Sequence, residues 1–269
     1  MKLIILILLL PSLVFGDTLT FEIGNDIVAD TDNGLTHYTK IALEKGRDTY
    51  SIANYIYTPK DIESFTLPEN DRGFDGYSYV AFARSYSEYK RDERIYEYRL
   101  GVVGEWSGSE ALQKYVHIDL DKGADPSWYS QNPSEVAPSF LFTKHTWEYT
   151  RSVIGDSRID NNATFEIGTF KTQALINQTL TKHFFKRVYV IGGIEGRWVL
   201  YDTTMDGRLL QNNIYTIGHE DFVAVGKLGI KYQFTPDFSA TYTYFYGTPE
   251  HSGQVGRHDL GAVTLEWRF

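Results

Sequence analysis

The strongest constraint on this chain is a period of two. In "HDLGAVTLEWRF", residues 258–269, Gly261, Val263, Leu265, Trp267 and Phe269 fall on one parity, and Leu260, Ala262, Thr264, Glu266 and Arg268 on the other. Successive side chains of a strand point to opposite faces, so this segment has one apolar and one mainly polar side. The same alternation runs through Leu19, Phe21 and Ile23; through Tyr96, Tyr98, Leu100 and Val102; and through Phe238, Ala240, Tyr242, Tyr244 and Tyr246. A wall between lipid and a polar lumen requires this pattern. "YSYVAFARSYSEY" fits it less well, with apolar residues on both parities.

Turn signals divide the chain into about twelve strands, at 17–26, 35–45, 48–58, 77–90, 93–105, 138–154, 158–168, 171–183, 187–202, 220–234, 238–248 and 257–269. The connections alternate between short ("KGRD", "KRDE", "TPD") and mostly long (26–34, 59–77, 105–138, 202–219, 248–257), with one short member near 168–171. Periplasmic turns and extracellular loops alternate in this way, and an even strand count puts both ends in the periplasm. The expected fold is therefore all-β, a transmembrane antiparallel β-barrel in one domain over 17–269.

Composition agrees. "MKLIILILLLPSLVFG", residues 1–16, has one Lys, an apolar run too short to span a bilayer and a small residue at its end, as a secretory signal peptide does. Without Lys2 the balance is 25 basic against 35 acidic residues, which argues against nucleic acid as a partner. Cysteine is absent, removing disulfides and thiolate metal sites. The chain carries 20 Tyr, 16 Phe and 5 Trp, a load expected in the aromatic girdles of a barrel.

The longest connection interrupts the alternation. In "SGSEALQKYVH", residues 107–117, Ser107 or Ser109 caps a short helix, and Leu112, Tyr115 and Val116 recur at helical spacing. Its apolar stripe is expected to pack on the barrel rim. Parity and loop order put Asn25, Asp26, Thr36, Asp71, Arg72 and His117 at the extracellular end, with Thr36, Lys40 and Glu44 on one polar face of the second strand. His37, His219, His251 and His258 lack metal-ligand spacing and read as surface residues.

"NDIVADTDNGLTHYT", "YIYTPKDI", "ENDRGFDGY", "RLGVVG" followed by "EALQKYVH", and "HSGQVGRHDLGAVTLEWRF" occur in that order from residue 19 to the C-terminus. As an ordered set they resemble the outer-membrane lipid A 3′-O-deacylases, the LpxR-like family. The resemblance implies a twelve-stranded barrel of the bacterial outer membrane and hydrolysis of the 3′-linked acyloxyacyl ester of lipopolysaccharide. It also implies a calcium ion and a site facing the outer leaflet. Carried over by position, Asn25 and Asp26 match the family's Asn-Asp pair, Thr36 its threonine and His117 its histidine. Asp26 would hold calcium to polarise the ester carbonyl, and His117 would activate water. The resemblance implies substrate-phosphate contacts from the second loop, for which this chain offers Lys60 and Arg72, although Arg72 could equally pair with Asp71. The chain departs from the family in reading Leu35-Thr36-His37-Tyr38, and in having Gly123 where an acid follows the histidine. A monomer is expected. A lipopolysaccharide-binding barrel without hydrolysis, an outer-membrane phospholipase and a small channel stay open as alternatives.

Overall fold

The computed structural model describes residues 17–269 except 27–33, 68, 122–124, 152–154 and 255; the side chains of Glu88, Asp119, Leu120 and Asp121 are also left undescribed. The expected signal peptide, residues 1–16, and Gly123 lie outside the described residues. Twelve antiparallel strands form one closed barrel: β1 (Thr18–Asn25), β2 (Gly34–Lys45), β3 (Asp48–Thr58), β4 (Asp75–Tyr89), β5 (Asp92–Val103), β6 (Glu135–Thr150), β7 (Ser157–Gly168), β8 (Lys171–Phe185), β9 (Val188–Asp202), β10 (Phe222–Gln233), β11 (Phe238–Gly247) and β12 (His258–Arg268). Each strand pairs with its neighbours in sequence. β1 closes the ring on β12, in register from Thr18↔Arg268 to Asn25↔Gly261. Closure leaves no unpaired edge, which is what lets a sheet cross a bilayer.

The period of two selects the faces as expected. Ile52, Val80, Leu100, Ile194 and Leu228 stand exposed on the outside. Charged groups point into the lumen and satisfy one another there: Arg99 pairs with Glu97 at 2.5 Å and with Glu166 at 3.3 Å. Lys231 pairs with Glu266, and Asn177 donates to Glu195 at 3.0 Å.

β4 broke the pattern because its inner face is aromatic too. Tyr77 and Tyr79 join Ala53, Tyr57, Val103, Ala137 and Phe170 in a core inside the lumen, with Tyr55 and Leu35 packed against it. Tyr38 stacks on Tyr55 in a second inner cluster with Leu260 and Ala262. This corrects the girdle reading of the tyrosines. Part of the load fills the barrel, where inward-facing rings from neighbouring strands pack on one another.

Long connections gather at one end, called here the loop end. The longest holds a short helical turn (Gly104–Ser107), helix α1 (Ser109–Lys114) and a wider π-type continuation (Tyr115–Asp121). A second helix, α2 (Thr203–Asp206), follows β9, capped by the Asp202 side chain accepting from the Thr204 N–H.

Candidate functional site

The site begins with a bulge. Along β2 and β3 the register runs Gly34↔Thr58 and Leu35↔Tyr57, then shifts so that His37 opposes Ile56. Thr36 is the extra residue. Up to the bulge Leu35 points into the lumen with Tyr55; beyond it Lys40 points inward again. Thr36 instead meets Thr58, oxygen to oxygen at 2.5 Å, and Thr58 shares the outward parity of Ile52 and Ile56. Thr36 therefore does not share a face with Lys40 and Glu44. The inserted residue re-aims its side chain to the outside, an effect that straight alternation along the strand cannot anticipate.

His37 follows on the same outer face, with Nε2 2.9 Å from Thr39 Oγ1. Across β1–β2 it is opposite Asn25, the last residue of β1 on the outward parity of Phe21 and Ile23. Cross-strand partners on one face hold their Cβ atoms about 5 Å apart. Asn25, Thr36, His37 and Thr58 thus form a polar patch at the loop end of a wall that is apolar lower down. Asp26, one residue on from Asn25, is fully buried.

The longest loop is fastened to this same outer wall. Asn54 and Ser78 lie on the outward parity of β3 and β4. Asn54 Nδ2 donates to Ser78 Oγ and to Ser109 Oγ, both at 2.8 Å. Ser78 Oγ donates to the Ser107 carbonyl at 2.7 Å, and Ser109 Oγ to the Tyr55 carbonyl at 3.1 Å. The loop thus crosses β4 at Ser107 and β3 at Ser109, with Gly108 in the left-handed region (φ 70°) making the turn between them. α1 begins at this contact with β3. His117 is half-buried in the stretch that continues α1.

Gly76 makes this fastening possible. A Cβ there would lie 2.2 Å from Ser107 Oγ and 2.3 Å from Ser109 Oγ. Gly76→Ala is expected to lift α1 off the wall while the strands still pair. Limited proteolysis should then cut within 104–121 at least about tenfold faster, a loss of roughly 1.4 kcal/mol in local stability. An unchanged cleavage rate would show that the wall and helix do not need this contact.

Arg72 meets a different environment from the one expected of it. Its side chain has no exposed surface. The guanidinium lies 4.9 Å from the Tyr57 ring, donates to Thr204 Oγ1 at 3.3 Å and pairs with Glu250 at 3.4 Å. Burial pushes the Glu250 carboxyl up, but Arg72, His258, Lys171 and Arg197 outweigh it and hold it well below the usual carboxylate range. His251, expected on the surface, is buried beside this cluster, 3.6 Å from Asp71. Its pKa is lowered by burial and then by Arg72. Lys60 is exposed in the β3–β4 loop, and its backbone N–H donates to Asp71 at 2.7 Å.

A second ion pair, not anticipated from the sequence, joins the loops. Arg208 grips Asp75 with two bonds of 2.8 Å, both side chains buried, and also donates to the Pro133 carbonyl at 2.7 Å. Its members come from β4, from the loop after α2 and from the loop before β6, so no single stretch of sequence displays it.

Among the described residues no group of three or more acidic or histidine side chains converges as a metal site. Calcium takes six to eight oxygens.

Twelve closed strands, apolar outside and charged within, define an integral β-barrel of the outer membrane. The chain belongs to the LpxR family: the family described as "Outer membrane protein LpxR" matches it over residues 34–181 and 182–269. Its fold is similar to that of LpxR from Salmonella typhimurium, with a TM-score of 0.79 at 14% identity, covering 94% of this chain and 100% of that one. It is also similar, more distantly, to the β domain of the Bordetella autotransporter BrkA (TM-score 0.52, 7% identity, 95% of this chain and 100% of that one). No curated protein matches it by sequence.

Proposed function

We propose that this protein is a lipid A deacylase that hydrolyses the 3′-linked acyloxyacyl ester of lipopolysaccharide in the outer leaflet. The observation that carries the reading is the placement of the polar patch on the outside of the wall, beside a helix fastened to that same outside. An ester embedded in a membrane is reached from the lipid side, and a site inside the lumen would require the lipid to leave the bilayer.

In this reading His117 is the general base that takes a proton from water. Between Ser109 and His117 the helix covers roughly 10–12 Å, and neighbouring strands lie about 4.8 Å apart. That reach supports a position for His117 over β2 and β1, where Thr36 and Asn25 stand. Thr36 and Asn25 offer a hydroxyl and an amide to the ester carbonyl as it gains negative charge. Lys60, exposed in the adjoining loop, is the candidate for a lipid phosphate. Arg72, having no exposed surface, supports the loops from within. Calcium at Asp26 is a separate element of the proposal, and no step above runs through it. Activity that survives complete chelation would remove that element.

Lipid A from cells with and without the gene, compared by mass spectrometry, tests the reaction. Loss of the 3′-linked acyloxyacyl mass is the expected change. An unchanged pattern alongside retained lipopolysaccharide binding would replace hydrolysis with binding alone. A small channel has less support, since tyrosines and ion pairs fill the loop end of the lumen.

A further inference from the structure

The helix on the outer wall is amphipathic in the sense opposite to that of a helix in water. Its polar side faces protein: Ser107 is 8% exposed, Ser109 0% and Gln113 4%. Its apolar side faces away: Trp106 is 64% exposed, Leu112 36%, Tyr115 53%, Val116 42% and Ile118 45%. The sequence suggested an apolar stripe packed on the barrel, and the structure reverses it. A loop helix surrounded by water buries such a stripe, because exposed apolar surface costs about 25 cal/mol per Å². A helix that presents this stripe outward and hydrogen-bonds its serines inward matches an apolar solvent.

The mounting shows where that solvent is. Asn54 and Ser78, which hold the helix, are two residues along their strands from the exposed Ile52 and Val80. Two residues of strand are about 7 Å, so the helix continues the lipid-facing belt without a gap. Glu110 and Lys114, on the flank between the two faces, neutralise each other at 2.9 Å. Trp106 and Tyr115 are the residue types that settle at the headgroup level.

We infer that residues 106–118 lie in the outer leaflet as an interfacial helix, with Leu112, Tyr115, Val116 and Ile118 in contact with the headgroup–acyl boundary of the lipid. The partner is lipid, and the helix is part of the membrane-embedded surface of the protein. The contact does not depend on the reaction proposed above.

The chain has no cysteine, so single cysteines can carry an environment-sensitive fluorophore without background. Val116→Cys and, as a second reporter, Leu112→Cys are labelled in the full-length protein in lipid nanodiscs. Ile52→Cys serves as the belt reference and Asp221→Cys, on a side chain 99% exposed, as the aqueous reference. Phospholipid carrying a nitroxide near its headgroup is expected to remove more than about half of the emission at Val116 and Leu112. Aqueous iodide is expected to spare both and to quench at Asp221. A nitroxide deep in the chain is expected to act mainly at Ile52. Iodide quenching at both helix positions as strong as at Asp221 would place the helix in water. Protection from iodide and from both nitroxides would place it against a second protein copy. Either result overturns the inference.

Discussion

His117→Ala is expected to lower the rate of lipid A deacylation by about 10²- to 10⁴-fold, the usual contribution of a positioned general base. The barrel should stay folded, because His117 belongs to the loop helix and takes no part in strand pairing. Heat-modifiable migration of the variant should therefore match that of the parent. His117→Gln keeps the size and hydrogen bonding of the side chain but cannot take up a proton at neutral pH, so it should be nearly as slow. Substrate binding, measured separately, should change little in either variant, since the base acts on the water. Full activity in either one would remove His117 from the chemistry and leave the lipid-side patch without its base.

The second large effect concerns the loops. Asp75→Ala is expected to strip the counter-ion from Arg208, a buried guanidinium gripped by two 2.8 Å bonds. Breaking one partner of a buried pair costs about 3–5 kcal/mol, because the remaining charge stays in a medium that solvates it poorly. The Gly104 N–H, which also donates to Asp75 at 3.3 Å, loses a partner as well. The loss should be local to the loop end, since the strands are held by the closed ladder. We expect proteolysis at 207–216 to accelerate about 100-fold or more. Asp75→Ala combined with Arg208→Met should recover most of the difference, since the isolated charge is then gone. A double variant no more resistant than Asp75→Ala would show that the loop depends on something other than this pair.

Sequence order and side-chain parity made the barrel legible. Strand boundaries fell within a few residues of the observed ones because a strand's two faces are written into its local period, and because short and long connections alternate at the two ends. The helix before His117 was legible for the same local reason, in the spacing of Leu112, Tyr115 and Val116. What the helix rests on was not legible. An apolar stripe marks the side that avoids water, and next to a membrane that side faces lipid while serines face the protein.

By itself, then, the sequence determined the closed antiparallel barrel, its lipid-facing parity and the candidate residues at its loop end. The tertiary structure decided which way those residues face. One inserted residue turns Thr36 outward to Thr58, and Arg72 is drawn inward by Glu250, 178 positions along the chain. Parity is a property of neighbouring residues. Bulges and buried ion pairs depend on partners that only the closed barrel brings together.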